Sequence, residues 1–313
     1  MIILVINCGS SSIKYQLLDM KNDDVYSLLA KGIVEKIGLE CGRLQHTPAG
    51  KEKVVKDLPV PDHTVGMQIV LDALIDKDHG VLKSFDDIEA VGHRIVQGAD
   101  FFSGSAIVDE DVIKKIDFCC DFAPLHNPAH LLGIRACQAV LPSVPQVVTF
   151  DTAFHQTMPP VAYTYAIPYE YYENDKVRRY GFHGTSHKYV ASRAADMLGK
   201  PIESLKLISC HLGNGSSVTA VDGGKSVETS MGFTPLAGLP MGTRAGDIDA
   251  GILEYLMNKY GYSIGEMLNI LNKKSGMEGI SGVSSDFRDL EEGAEKGNER
   301  CALAREKFAY EVK

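Results

Sequence analysis

The stretch that decides the fold is Asn7-Cys8-Gly9-Ser10-Ser11-Ser12-Ile13-Lys14, which follows the apolar run Ile2 to Ile6. A second turn of glycine and serine, Gly213-Asn214-Gly215-Ser216-Ser217, follows a similar run from Leu207 to Leu212. Each turn leads into another β-rich run, which predicts two hairpins. Their small side chains let backbone N–H groups and hydroxyls converge on an anion, and Lys14 adds a positive charge. One such turn in each half predicts a duplicated fold that binds one polyphosphate from both sides.

The composition limits the classes of function. The chain has 313 residues, 44% hydrophobic and 23% charged, which is globular composition and enough length for two domains. A net charge of -9 without long like-charged blocks argues against a nucleic-acid partner. Seven cysteines without CxxC spacing predict free thiols in a reducing cytoplasm. No stretch approaches the roughly 20 apolar residues of a membrane span, so we expect a cytoplasmic protein without a membrane partner.

Strand and helix signals alternate along the chain. Strands are predicted at Ile2 to Ile6, Ile13 to Leu18, Val25 to Val34, Val54 to Leu58, Val91 to Val96, Val147 to Asp151, Leu207 to Leu212 and Val218 to Val221. Helices are predicted at Val65 to Ile75, Asp109 to Phe118, Pro128 to Val140, Asp249 to Tyr260, Ile264 to Lys273 and Glu299 to Lys313. This alternation predicts an α/β fold with two similar domains, residues 1–150 and 151–313.

Four further segments carry residues suited to a site. They are Gly92-His93-Arg94, Phe150 to His155, Gly181 to His187 and Met241-Gly242-Thr243-Arg244. Each lies where an ordered element ends, and such positions face the crevice of an open α/β sheet. The two arginines come from different halves of the chain. A guanidinium donates in pairs to phosphoryl or carboxylate oxygens, so these arginines indicate a phosphate or carboxylate ligand.

Five segments together resemble the acetate kinases, a family of carboxylate kinases within the actin, sugar-kinase and chaperone-ATPase superfamily. They are LVINCGSSSIK (4–14), FDTAFH (150–155), RRYGFHGTSH (178–187), HLGNGSS (211–217) and MGTRAGDID (241–249). The resemblance covers the whole chain. It implies two actin-like (ribonuclease H-like) domains around a central cleft, and a homodimer. It also implies reversible transfer of a phosphoryl group from ATP to acetate, with Mg²⁺ or alternatively Mn²⁺.

The resemblance implies roles on the phosphate side of the site. It assigns Asn7 to the metal, and it assigns to phosphate Ser10, Ser12 and Lys14. Arg94 and Arg244 would clamp the transferring phosphoryl group, whose loose transition state spreads charge over its oxygens. His183 would add a donor, and Asp151 would orient Arg94 or help hold Mg²⁺. Because acetate is already ionised near neutral pH, no general base is needed.

The remaining matches concern the carboxylic acid and the nucleotide. Beside Arg94, an apolar cup for the acetate methyl is implied at Val96, Leu125, Phe182 and Pro235. Nucleotide or phosphate contacts are implied at His211, Leu212, Gly213, Asn214, Gly215, Asp286, Phe287 and Arg288. A small cup discriminates weakly, since one methylene is worth roughly 1–3 kcal/mol, so propionate is expected as a secondary substrate.

The chain also departs from the family pattern. The family has a later nucleotide loop, an acidic metal ligand near its C-terminus and a closing helix, and none of these matches a segment here. The last helical pattern lacks a glycine cap or proline stop. We therefore expect a form that lacks the C-terminal segment, with an incomplete second domain and an incomplete Mg²⁺ shell.

Several alternatives stay open on the sequence alone. The chain could be a propionate or butyrate kinase, a binding module of the same superfamily, or a catalytically dead nucleotide-binding fragment. His183 and His187 have a spacing that zinc ligands use, although no acidic partner accompanies them. Arg178 and Arg179 could be a solvated pair, and Asp247 and Asp249 could cap the next helix. The apolar cup residues could be ordinary core.

Overall fold

The structure is a computed structural model that describes residues 1–22 and 25–313. The chain divides into two compact units, Met1–Ala153 and Phe154–Lys313. Within the described residues no helix is long and apolar enough to cross a membrane. All seven cysteines are free thiols, as predicted.

The first unit is built on an eight-stranded sheet. Its strands are β1 (Ile2–Gly9), β2 (Ser12–Met20), β3 (Tyr26–Glu35), β4 (Gly42–Pro48), β5 (Val54–Leu58), β6 (Ala90–Ile95), β7 (Ala106–Ile107) and β8 (Gln146–Phe150). Their order in the sheet is β5-β4-β3-β2-β1-β6-β8-β7. β1 to β5 form an antiparallel meander, whereas β6 runs parallel to β1 and β8 runs parallel to β6. The carboxyl ends of β6 and β8 therefore lie at one edge, and Arg94 and Asp151 are found there.

Helices in the first unit bury one face of this sheet. They are α1 (His63–Leu74), α2 (Glu110–Phe118) and α3 (Asn127–Val140), with a 3₁₀ turn at Phe85–Asp87. Asp62 and Asp109 cap α1 and α2 by accepting hydrogen bonds from exposed N–H groups of the first turn. α3 approaches β1 closely at Gly133, where an added Cβ would lie 2.4 Å from Cys8 Sγ. Inward side chains of β1, β2, α1 and α3 form one apolar core.

The second unit contains a smaller, three-stranded antiparallel sheet. Its strands are β9 (Lys206–Leu212), β10 (Ser216–Asp222) and β11 (Lys225–Thr229) in the order β11-β10-β9. The helices are α4 (Pro160–Tyr163), α5 (Glu170–Asp175), α6 (Gly184–Leu198), α7 (Ala250–Tyr260), α8 (Ile264–Lys273), α9 (Gly276–Ser281), α10 (Phe287–Glu295) and α11 (Glu299–Val312). Short 3₁₀ turns occur at Ala153–Thr157 and Ile202–Ser204. α9, α10 and α11 share a small core.

Most of the predicted elements are confirmed to within a few residues, and α8 has the predicted limits. The helix α6 was not predicted, because it buries only Gly184, His187, Ala191 and Ala195. Small residues and a histidine at helical spacing do not produce the large aliphatic stripe that identifies a helix. The strands β4, β7 and β11 and the helices α4, α5, α9 and α10 were also missed.

Candidate active site

The first predicted hairpin is confirmed. β1 and β2 pair antiparallel as far as Gly9 opposite Ser12, so Ser10 and Ser11 make the turn. Asn7 lies opposite Lys14, and both line one groove of the first unit. An added Cβ on Gly9 would lie 3.1 Å from Ser12 Oγ, which places this hydroxyl beside the glycine. The amide of Asn7, the ammonium of Lys14 and the hydroxyls of the turn serines therefore lie near one end of the hairpin.

Arg94 and Asp151 meet at the ends of the parallel strands β6 and β8. Arg94 Nε donates to Asp151 Oδ1 at 3.1 Å, and Arg94 Nη2 donates to Oδ2 at 2.6 Å. The Asp151 side chain is 3% exposed and that of Arg94 is 41% exposed. Burial opposes the charge of Arg94, but the Asp151 carboxylate more than offsets it and raises the arginine pKa. This two-point contact fixes the plane of a guanidinium that still reaches solvent.

The predicted apolar cup is divided between the units. In the first unit Val96 is buried, whereas 60% of Leu125 is exposed. In the second unit Phe182 is buried, and its carbonyl accepts a hydrogen bond from His155 Nε2 at 2.9 Å. Pro235 is half-buried and its carbonyl contacts Arg244. The cup stays a prediction.

His183 stands at the start of α6 in an unusual backbone conformation. Its φ is 56°, in the left-handed region that non-glycine residues seldom occupy. Such a conformation costs about 1–3 kcal/mol and persists where the surroundings hold it. Gly181, two residues earlier, also has a positive φ of 75°, and an added Cβ there would lie 2.4 Å from Thr229 Cγ2. The chain thus needs glycine at 181 to bring His183 to this place.

A cluster of histidines and serines surrounds His183. Its Nδ1 lies 2.8 Å from Ser217 Oγ, and its ring stacks on that of His211 with centroids 4.0 Å apart. His211 Nδ1 in turn bonds Ser186 Oγ at 2.9 Å. The zinc alternative needed His187 as a ligand, but both of its ring nitrogens bond serine hydroxyls. His187 is therefore a buried hydrogen-bonded histidine.

The second predicted hairpin, β9 with β10, is also confirmed, and its turn is Gly213-Asn214-Gly215. Ser216 Oγ donates to the Gly213 carbonyl at 2.9 Å. Gly242 N–H donates to the Asn214 carbonyl at 3.0 Å. An added Cβ on Gly242 would lie 2.0 Å from Asn214 Oδ1, so the hairpin packs directly on the segment that carries Arg244.

Arg244 and His183 converge on the backbone of Gly215. An added Cβ on this glycine would lie 3.3 Å from Arg244 Nη1 and 3.5 Å from His183 Nε2. Arg244 Nη1 also donates to the Pro235 carbonyl at 3.1 Å. Burial lowers the pKa of Arg244. A cation and the edge of an imidazole therefore flank the turn Gly213-Asn214-Gly215, which the sequence predicts to bind phosphate.

The predicted nucleotide segment 286–288 begins α10. Asp286 caps the helix, and its Oδ2 accepts a hydrogen bond from Arg288 Nη2 at 2.6 Å. Hydrogen bonds from Arg288 lower the pKa of Asp286 to about 2. Phe287 packs edge-to-face on Phe308 with centroids 4.9 Å apart. An added Cβ on Gly242 would lie 3.2 Å from Ser285 Cβ, so this segment starts beside the second hairpin. Leu212, also assigned to the nucleotide, is half exposed at the end of β9.

One structural alternative from the sequence is wrong, and another is confirmed only in part. Arg178 is buried with its guanidinium 3.6 Å from the Tyr163 ring centroid, and Arg179 Nη1 donates to the Thr229 carbonyl at 2.6 Å. They are therefore not a solvated pair. Asp249 does cap α7, but Asp247 accepts from Gly238 N–H at 2.8 Å and so stabilises a loop.

The chain is similar to proteins of a known family. The model of the acetokinase family matches residues 2–313. The acetate kinase of Natranaerobius thermophilus is 61% identical over 310 residues, covering 99% of this chain and 77% of that protein. The chain belongs to the acetokinase family. The family resemblance stated from the sequence is thus confirmed.

Solved structures of this family share the fold. The acetate kinase of Porphyromonas gingivalis matches with a TM-score of 0.94 at 46% identity, covering 99% of this chain and 77% of that one. A propionate kinase from Francisella tularensis matches with a TM-score of 0.91 at 44% identity, covering 99% and 78%. The predicted α/β, actin-like fold class is confirmed by these matches.

Some residues of the candidate acetokinase site escaped the sequence analysis. Ser217 was quoted only as part of a turn, yet its hydroxyl bonds two histidines. Gly242 was quoted as a neighbour of Arg244, yet its lack of a side chain admits Asn214. The signal for Ser217 was available in its position after Gly215. No such signal exists for Gly242, because its close approach to Asn214 joins residues that are 28 positions apart in the chain.

The described residues also bear on the metal. Within 1–22 and 25–313, no group of three or more His, Cys, Asp or Glu side chains is placed to hold a metal ion. Asp151 already shares both carboxylate oxygens with Arg94. Through these two hydrogen bonds Asp151 orients Arg94, and its alternative role as a Mg²⁺ ligand stays a prediction.

Proposed function

We propose that this member of the acetokinase family transfers the γ-phosphoryl group of ATP to acetate and forms ADP and acetyl phosphate, reversibly. The observation that carries the proposal is the convergence of Arg244 Nη1 and His183 Nε2 on Gly215, in the turn between β9 and β10. A transferring phosphoryl group needs fixed donors around its equatorial oxygens more than it needs covalent chemistry. Arg244 and His183 supply such donors on a backbone that leaves room for the ligand.

The reaction proceeds by direct attack of the carboxylate. An acetate oxygen forms a bond to the γ-phosphorus while the bond to the β–γ bridging oxygen of ATP breaks, and ADP leaves with that electron pair. No proton has to move, because acetate is ionised near neutral pH. In the first unit, Arg94 binds the carboxylate or the phosphoryl oxygens, and Asp151 holds its guanidinium plane. Val96, Leu125, Phe182 and Pro235 take the acetate methyl in this proposal.

Each of the two hairpins offers donors to nucleotide phosphates in this proposal. Ser10, Ser12 and Lys14 offer donors on the first, and Asn214 and Gly215 with His211, Leu212 and Gly213 belong to the second. The adenosine side uses the segment Asp286-Phe287-Arg288, which starts next to the second hairpin. Asp286 and Arg288 already bind each other, so adenosine would pack on Phe287, which is 39% exposed.

A divalent cation fits this arrangement as a companion of the nucleotide. Mg²⁺ commonly binds through one or two protein oxygens, substrate phosphates and several waters. Asn7, half-buried opposite Lys14, supplies one such oxygen. When bound, Mg²⁺ or Mn²⁺ neutralises charge on the phosphates. We also propose, on family resemblance, a cytoplasmic homodimer without nucleic-acid or membrane partners; light scattering during size-exclusion chromatography checks the dimer.

The decisive experiment is formation of acetyl phosphate, trapped as the hydroxamate, by this 313-residue chain with Mg-ATP and acetate, propionate or butyrate. We expect turnover with acetate, weaker turnover with propionate and the least with butyrate. Val96→Ala should shift the preference toward propionate, because it enlarges the proposed cup. A folded protein that binds ADP but forms no acyl phosphate with any of the three acids would overturn the proposal and favour a binding module.

A further inference from the structure

The hydroxyl of Ser217 lies between two histidines. Ser217 Oγ is 2.8 Å from His183 Nδ1 and 2.8 Å from His187 Nε2. His187 Nδ1 is 2.9 Å from Ser209 Oγ. Ser209, His187 and Ser217 are all buried, with exposed fractions of 5%, 0% and 0%. These residues form a chain of hydrogen bonds that ends on His183.

The hydrogens of this chain can be counted. Burial, with the neighbouring His155 and His211, lowers the pKa of His187 to about 3, so its ring is neutral near pH 7 and carries one N–H. That N–H is on Nε2 toward Ser217 or on Nδ1 toward Ser209. Each serine has one hydroxyl hydrogen to donate. The position of the His187 hydrogen therefore determines which way both hydroxyls point.

The two arrangements differ in how many hydrogens find an acceptor. With the hydrogen on Nε2, His187 donates to Ser217, Ser217 donates to His183 Nδ1, and Ser209 donates to His187 Nδ1. With the hydrogen on Nδ1, His187 donates to Ser209, whose own hydroxyl hydrogen then has no acceptor among residues 1–22 and 25–313. A buried donor without a partner is costly, so the first arrangement is favoured.

We propose that Ser217 is a positioning residue for phosphoryl transfer, which relays the tautomer of His187 to His183 and keeps the His183 ring hydrogen on Nε2. The proposal rests on the proposed function of His183 as a donor to the phosphoryl group. Nε2 is the ring atom that lies beside Gly215 and Arg244. Without the relay, a neutral His183 could carry its hydrogen on Nδ1 and would present a lone pair to an anion.

The first measurement is the ¹⁵N spectrum of the histidine side chains in the wild-type protein, with His183 signals assigned by their loss in His183→Gln. Long-range ¹H–¹⁵N correlations distinguish a protonated ring nitrogen from a bare one. We expect the His183 hydrogen on Nε2. A hydrogen on Nδ1, or on both nitrogens, would overturn the proposal. This readout does not need turnover, so it separates failure of the relay from failure of the proposed kinase activity.

The second measurement removes the relay. Ser217→Ala should move the His183 hydrogen partly or wholly to Nδ1. It should also lower kcat about 10- to 100-fold, which is the usual cost of removing a residue that orients a ligand-binding side chain. The KM for ATP should change less than about threefold. Ser209→Ala removes the acceptor that a hydrogen on His187 Nδ1 would need, so by the same count the His187 hydrogen stays on Nε2. We expect the wild-type His183 tautomer and little change in kcat. A His183 hydrogen on Nδ1 in this variant would overturn the proposal even if Ser217→Ala does not fold.

Ser226→Ala is the matched control. Ser226 is buried and its hydroxyl bonds His155 Nδ1 at 2.8 Å, so the variant also removes a buried serine from a histidine. We expect a similar fall in Tm, an unchanged His183 tautomer and kcat within about twofold of wild type. An equal loss of kcat in Ser226→Ala and Ser217→Ala, with the His183 spectrum unchanged in both, would show a merely structural role and overturn the proposal.

Discussion

Arg94 and Arg244 are held in place by opposite means. Arg94 in the first unit makes two hydrogen bonds to the buried carboxylate of Asp151. Arg244 in the second unit donates to the carbonyl of Pro235, and among the described residues it has no carboxylate partner. Asp151 raises the pKa of Arg94 against the effect of burial, whereas burial lowers the pKa of Arg244.

Because their partners differ, the two arginines offer different amounts of positive charge to a ligand. A carboxylate that fixes Arg94 also neutralises much of its field before any substrate binds. The Pro235 carbonyl orients Arg244 but has no net charge, so it neutralises less of the positive charge of Arg244 than a carboxylate would. A bound phosphoryl group should therefore gain more from Arg244, while the folded protein should depend more on the Arg94 pair.

The largest expected effect separates the two arginines. Arg244→Ala should lower kcat by about 10³-fold, at the upper end of what one lost transition-state donor costs. Arg94→Ala should lower kcat less but lower Tm more, because it leaves Asp151 buried without a partner. Steady-state kinetics measures kcat, and thermal unfolding measures Tm. The contrast between the arginines would be lost if Arg94→Ala cost more activity and less stability than Arg244→Ala.

The next effect isolates the carboxylate. Asp151→Asn keeps the shape of the side chain but removes its charge and one acceptor, so we expect kcat to fall about 10- to 100-fold. The matched control is Asp57→Asn, which weakens the exposed two-point pair of Arg43 and Asp57 on the same sheet. Exposed pairs contribute about 0–1 kcal/mol, so the control should keep its activity and nearly all of its stability. Equal activity of both variants would disprove an orienting role for Asp151.

A smaller effect tests the convergence on Gly215. Gly215→Ala places a methyl 3.3 Å from Arg244 Nη1 and 3.5 Å from His183 Nε2. These side chains should shift by a few tenths of an ångström, and we expect kcat to fall about tenfold, since placement errors of 1 Å can cost about 10². Gly265→Ala in α8, where an added Cβ meets no atom within 4 Å, is the control and should not change kcat. Wild-type kinetics for Gly215→Ala would contradict the proposed position of the ligand.

The smallest expected effect concerns stability, and here the two units should behave alike. Burial lowers the pKa of His93 in the first unit and of His155 in the second to about 4. The unfolded chain has the ordinary histidine pKa near 6.5 and so binds more protons between pH 6.5 and 4. Stability present above pH 6.5 is therefore lost as the pH falls through this window, by about 2 kcal/mol per histidine at pH 5.

Urea unfolding at pH 7 and pH 5 measures this loss. His93→Gln and His155→Gln should each reduce the pH dependence by the share of one histidine. If either variant kept the full wild-type pH dependence, the corresponding histidine would not be neutral and buried in the folded protein.

Local signals predicted the parts of the fold that depend on neighbouring residues. Both hairpins were predicted from apolar runs that end in glycine and serine, and the pairing of Gly9 with Ser12 confirms the first turn. Asp109 and Asp249 were placed at helix starts, where a short carboxylate caps exposed N–H groups. The family motifs also identified His183 and Arg244 as site residues, a prediction that the variants above would test.

The α/β class, the hairpins β1–β2 and β9–β10 and the membership of the acetokinase family could all be read from the sequence, because each depends on short stretches of neighbouring residues. The three-dimensional packing was needed to show that Arg94 binds Asp151, 57 residues away, which the family resemblance offered only as one of two roles, and that Ser217 bonds His183, 34 residues away. Hydrogen-bond partners so distant in the chain leave no periodic pattern, since their contact depends on how strands and helices pack. The same packing buries Arg178, for which the sequence had left a solvated position open.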